Sequence, residues 1–66
     1  MNVLVNGKPE SVEEGSSLES LVQGLGLSKD GVAVAVNHRV IPRSERSVYR
    51  LRESDKVEVV QAVGGG

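Results

Sequence analysis

Val57-Glu58-Val59-Val60-Gln61-Ala62-Val63-Gly64-Gly65-Gly66 is the last stretch of the 66-residue chain. Its alternation predicts a strand over 57–63, with Val57 and Val59 on one face and Glu58, Val60 and Ala62 on the other. The glycines after it have no side chains to bury and cannot extend the strand. Which earlier segment this strand lies beside decides the fold. The first candidate is Val3-Leu4-Val5, which runs into Asn6-Gly7, a dipeptide that tolerates the positive φ angles of a type I′ hairpin turn. Lys8 to Val12 then returns as a second strand. Pro9 has no N–H for a ladder bond, so this strand is expected at a sheet edge.

Between these ends lies one helix signature. Ser16 and Glu19 have capping-box spacing, and Leu18, Leu21, Val22 and Leu25 recur at helical intervals to give one apolar stripe. The pattern predicts about three turns, with Gly26 taking the left-handed conformation that closes the helix. Gly31 opens Val32-Ala33-Val34-Ala35-Val36, apolar on both faces and therefore an internal strand. Asn37 supplies a turn, and Val40-Ile41-Pro42 a brief edge strand. From Arg43 to Ser54 the chain is polar and irregular, and Val48, Tyr49 and Leu51 are the expected anchors to the core.

The order β-β-α-β-β-β gives a two-layer α+β unit with one helix stripe to cover one sheet. With the first and last strands paired at the sheet centre, this is the β-grasp, or ubiquitin-like, fold: a mixed sheet of four to five strands on one main helix. We assign residues 1–63 to that domain and 64–66 to a flexible glycine tail.

Composition narrows the function. The chain has no Cys, Phe or Trp, one His and one Tyr, and its apolar content is dominated by thirteen Val and six Leu. Such a β-branched supply favours strands. A domain this small buries only about 60% of the surface its unfolded chain exposes, which leaves no room for a deep cleft. Absence of Cys excludes disulfides and Cys-ligated zinc or iron–sulfur centres, and His38 alone cannot hold a metal. A formal net charge of −1 lacks the sustained basic field that nucleic acid or an anionic membrane requires. No apolar run approaches the roughly 20 residues of a membrane span, and no leader pattern opens the chain. A cytoplasmic protein with protein partners is expected.

Three glycines after an apolar strand contribute nothing to folding. They suit delivery: a tail without Cβ atoms threads a narrow channel and sets the Gly66 carboxylate into another protein's active site. A free carboxylate is a poor acyl donor, so its use calls for activation, most simply by attack on the α-phosphate of ATP, with positioning and Mg²⁺ supplied by the partner. On this reading the chain binds no cofactor directly. The chemistry rests on Gly66, and Val63, Gly64 and Gly65 contact the partner.

At the level of motifs, the chain resembles the thiamine-biosynthesis sulfur carriers, the ThiS-like proteins. The likeness is carried by Asn6-Gly7, Leu18 with Leu21, Val32-Ala33-Val34-Ala35-Val36-Asn37, Val40-Ile41-Pro42-Arg43, Asp55 before Val57-Glu58-Val59-Val60, and Ala62-Val63-Gly64-Gly65-Gly66. It departs at two positions, having Arg46 where a Trp is common and Ser54 where a Gly is common. The resemblance implies that an adenylating enzyme related to ubiquitin activators acts on Gly66. A cysteine desulfurase or sulfurtransferase relay supplies sulfur to form a thiocarboxylate, and thiazole synthase takes it for the thiazole of thiamine. It also implies that Gly65 and Gly66 form the functional motif, and that the protein is a carrier, not an enzyme. A molybdopterin-type carrier and a non-covalent β-grasp interaction module are the alternative readings; the 33–37 and 40–43 segments favour thiamine.

Beside the tail, Leu4, Ala33, Ala35, Val60 and Ala62 are expected to form an apolar patch on the sheet face opposite the helix, with Val60 the leading candidate for partner contact. Charge is segregated too. Positions 39–52 hold five Arg (Arg39, Arg43, Arg46, Arg50, Arg52) against one Glu, and positions 10–19 hold four Glu and no base. Such asymmetry suits steering of an acidic partner, and equally a solvated face.

Overall fold

The computed structural model describes residues 1–27 and 31–61, Gln61 by its backbone alone. The chain runs β1 (Asn2–Val5), β2 (Lys8–Ser11), α1 (Leu18–Gly24), β3 (Val32–Val36), β4 (Arg39–Val40), a 3₁₀ turn (Arg43–Glu45) and β5 (Lys56–Gln61). One five-stranded sheet has the order β2-β1-β5-β3-β4. The last strand does lie beside the first: β5 pairs parallel to β1, with Leu4 opposite Lys56 and Val5 opposite Val57. On its other side β5 pairs antiparallel to β3, from Val32 opposite Gln61 to Val36 opposite Val57. This is the β-grasp arrangement, with β3 internal and the Pro9-containing strand at an edge. Residues 62–63, expected to continue β5, and the tail 64–66 lie outside the described residues.

Both hairpins are set by positive φ. Asn6 (φ 50°) and Gly7 (φ 85°) turn β1 into β2, and Asn37 (φ 52°) and His38 (φ 68°) turn β3 into β4, in the sense that matches strand twist. The core lies between one sheet face and the helix. Val3, Val5, Val32, Val34, Val36 and Val57 point inward to meet Leu18, Leu21 and Val22, and Ile41 and Leu51 close the margin. Full burial of each such side chain contributes roughly 1.5–3 kcal/mol.

The helix differs from expectation at its start and its length. Ser17, not Ser16, is the N-cap, and its side chain accepts from the Ser20 N–H at 3.0 Å. Ser16 is drawn into another arrangement: its hydroxyl donates to the Glu13 carbonyl and its own carbonyl accepts from Leu51 N–H. The helix has seven residues, two turns instead of three. It ends because Gly26 (φ 73°) bonds back to Gln23 while Leu27 bonds back to Val22, the paired closure in which a left-handed glycine takes up orphan carbonyls. Leu25 therefore caps the helix and is 37% exposed, so it does not complete the buried stripe.

The segment after β4 is pinned by other residues than Val48, which is 69% exposed. Val48 and Tyr49 N–H both donate to the Glu45 carbonyl, a turn that throws Val48 outward. The anchor is Arg46, only 5% exposed, whose guanidinium donates to the Val32 carbonyl at 2.7 Å. Tyr49 is half-buried and Leu51 fully buried, as expected.

Candidate functional site

Everything that could present the glycine tail depends on how β5 is held, and two asparagines hold it. The Asn6 side-chain oxygen accepts the Val59 N–H at 2.9 Å, carrying the β1 side of the ladder one step past the end of β1. From the other side, Asn37 accepts the Lys56 N–H at 3.0 Å and donates its amide to Asp55 at 3.1 Å, while its backbone N–H bonds the Lys56 carbonyl. Asp55, 7% exposed, takes a second bond from the Arg52 N–H at 2.8 Å. A buried carboxylate needs such partners. Its backbone carbonyl accepts from Leu4 N–H. Asn6 and Asn37 are thus more than turn formers: each fixes the strand that leads to the tail.

The face of the sheet away from the helix carries the predicted patch, but not as one surface. Val60, 61% exposed, stands opposite the exposed Ala33, and Ala35 lies diagonal to it. Val40 faces Ala35 across the edge, is 68% exposed and belongs to the patch as well as to the return strand. Leu4 is half-buried and sits beside Lys56 and Pro9. Four residue steps along β5, from Lys56 beside it to Val60, separate the two by about 13 Å at the usual strand rise, with Glu58 between. His38 Nδ1 lies 3.6 Å from Glu58 Oε1, both well exposed, an arrangement worth little in water. Ala62, Val63, Gly64, Gly65 and Gly66 lie outside the described residues. Among the described residues, no group of three or more His, Asp or Glu is placed to hold a metal ion, and no helix is long and apolar enough to cross a membrane.

Residues 3–66 match the ThiS family model. The chain belongs to the ThiS family. The match runs through the glycine tail as well as the sheet. Among relatives of similar size, the sulfur carrier protein ThiS of Thermus thermophilus is 36% identical over 64 residues, covering 97% of this chain and 98% of that one. The thiamine biosynthesis protein ThiS of Geobacter metallireducens, in its crystal structure, superposes with a TM-score of 0.85 at 32% identity, all of each chain being covered. A thiazole synthase of Magnetococcus marinus is 41% identical over 66 residues, and the chain spans only 20% of its length. Ser54, the position before Asp55 where the resemblance leads one to expect a Gly, adopts φ 68°, the left-handed region in which glycine is at ease.

Proposed function

We propose that this protein carries sulfur as a thiocarboxylate on Gly66 for the thiazole half of thiamine. The observation that carries the reading is the family match over residues 3–66, which includes the three terminal glycines. The β-grasp sheet, with β5 gripped on both sides and leading to the tail, supports it. In the first step the Gly66 carboxylate attacks the α-phosphate of ATP and pyrophosphate leaves. A persulfide on a desulfurase or sulfurtransferase relay then attacks the acyl carbon and displaces AMP to give an acyl disulfide, and a second thiol attacks the relay sulfur of that bond, leaving with it as a disulfide and freeing the thiocarboxylate. An adenylating enzyme related to ubiquitin activators supplies ATP, Mg²⁺ and the catalytic groups; this chain supplies the acyl group and the surfaces that dock it. Thiazole synthase is the acceptor. That some thiazole synthases contain a segment similar to this whole chain favours this acceptor over a molybdopterin synthase. The cytoplasm, where ATP and cysteine desulfurases work, is the fitting compartment.

The test uses the absence of Cys. The protein is incubated with its adenylating enzyme, MgATP and a sulfur source, treated with a thiol alkylator, and weighed intact. One alkylated adduct, mapped to Gly66, is expected, and none after deletion of Gly65 and Gly66. No adduct with an adenylating enzyme known to be competent would leave the non-covalent interaction module as the better account.

A further inference from the structure

The carrier reading makes no use of the covalent chemistry open to Asn6. Its carboxamide is followed by Gly7, so the next main-chain nitrogen has no neighbouring Cβ to shield it. Both residues are exposed, and the place where a Gly7 side chain would stand holds nothing within 4 Å. The other two asparagines differ: Asn2 precedes Val3 and Asn37 precedes His38, each a residue with a Cβ. Asn6 is therefore the asparagine of this chain best suited to attack by the next main-chain nitrogen on its side-chain amide.

The closed turn holds that reaction off in two ways. The φ pair of 50° and 85° is that of a type I′ turn, whose first central residue has ψ near about +30°. At that ψ the Gly7 nitrogen stands nearly anti to the Asn6 Cβ about the Cα–C bond, on the far side from Cγ, and a succinimide ring cannot close. The carboxamide is also tied, since its Oδ1 accepts the Val59 N–H at 2.9 Å.

Both locks are local. Val5 opposite Lys8 is the pair that closes the hairpin, and the next pair sets Leu4 against Pro9, which has no N–H to give. β1 is meanwhile held from its other side by β5. Such a turn opens at far smaller cost than the whole domain.

We propose that Asn6 is a modification site: it deamidates through Gly7 when the β1–β2 turn opens, and its loss loosens β5. The Gly7 nitrogen gives up its proton and bonds Asn6 Cγ, the Cγ–Nδ2 bond breaks, and ammonia leaves with that proton. Water then opens the succinimide. Cleavage of the Cγ–N bond leaves aspartate; cleavage between nitrogen and the main-chain carbonyl carbon leaves isoaspartate, whose main chain runs through Cγ.

The two products differ at Val59. Aspartate keeps an oxygen where Oδ1 stood and accepts the same N–H. Isoaspartate puts one more carbon into the main chain of a two-residue turn and has no side-chain oxygen at that place. The Val59 N–H then loses its partner, and β5 loses one of the asparagine bonds that flank it, the other being from Lys56 N–H to Asn37. Chemical ageing of an exposed turn is thus linked to the strand that precedes the glycine tail. This chemistry is available whether or not Gly66 carries sulfur.

The experiment incubates the protein in mildly alkaline buffer, folded and in guanidinium chloride, and follows replacement of NH by O through peptide mass mapping. An endoprotease that cuts before aspartate but not before isoaspartate separates the products. Folded protein should gain both at position 6, at between about one-tenth and about one-thousandth of the unfolded rate. It should gain none at Asn37, whose carboxamide is bonded through both Oδ1 and Nδ2. In the isolated isoaspartyl form, hydrogen exchange at the Val59 amide should be about tenfold faster than in the unaltered protein, and in Asn6→Asp within about twofold of it. Should the isoaspartyl form fail to fold, Asn6→Gly gives the same reading, because glycine takes this φ with ease and brings no acceptor. A folded rate above the expected range overturns the gating by the turn. A rate below it, where only global unfolding exposes the site, overturns the local opening. Val59 exchange unchanged in Asn6→Gly overturns the link to β5.

Discussion

Ser54→Gly should stabilise the protein. Ser54 holds φ 68° just before the buried Asp55, and a residue with a Cβ pays roughly 1–2 kcal/mol in that left-handed region. Its N–H donates to the Asn2 carbonyl at 2.8 Å, a bond that glycine keeps, and its side chain is exposed. Against the relief stands the greater freedom of glycine in the unfolded chain, about 0.5–1 kcal/mol. The net gain is about 0.5–1 kcal/mol. At roughly 2.1 cal/mol/K per residue, unfolding this chain has an entropy of about 0.14 kcal/mol/K, so the melting temperature should rise by about 4–7 °C. Scanning calorimetry on the unaltered protein, Ser54→Gly and Ser54→Ala decides it. The alanine variant retains the Cβ and should gain nothing. If glycine melts no higher than serine, or alanine rises equally, the strain argument is wrong.

Arg46→Ala should cost about 2–4 kcal/mol in urea unfolding, because it removes buried volume and strands the Val32 carbonyl. Arg46→Met keeps most of the volume but leaves the Val32 carbonyl equally unpaired, so it should cost about 1–3 kcal/mol and lie above the alanine variant by the volume it retains. Equal stability of the alanine variant would show that Arg46 is not the anchor of its segment. Val60→Asp changes an exposed side chain and should move stability by no more than about 0.5 kcal/mol, while weakening capture by the adenylating enzyme in a pull-down or by surface resonance; undiminished capture would remove the Val60 face from the docking surface.

The sheet was legible because its signals are local and agree: two hairpin turns at asparagines, a proline that marks one edge, and valines at every second position of β3 and β5. The helix was legible in its buried positions, Leu18, Leu21 and Val22, and in its closure at Gly26. Its N-cap was not, since Ser16 and Ser17 are chemically equal candidates and a distant strand-like segment, through Leu51 N–H, decides between them. The anchor of residues 43–54 was hidden for a related reason. An arginine reads as surface, and only a carbonyl of β3 left within its reach turns Arg46 inward, while Val48, the residue with core chemistry, is carried outward by a turn. The apolar patch was overdrawn because alternation tells which face a residue takes but not how far apart two residues lie along it; Leu4 and Val60 share a face without sharing a contact.

The adjacency of β1 and β5 also has a mechanical meaning. The two strands are parallel, so tension between the start of β1 and the far end of β5 pulls them in opposite directions along their length. The short ladder is then loaded in shear, its bonds sharing the load, where a peeling geometry would open them one by one. Asn6 and Asn37 add cross-bars at the loaded strand. A partner that grips the glycine tail and draws on it thus loads the β1–β5 pair in shear, along the direction in which its bonds resist together.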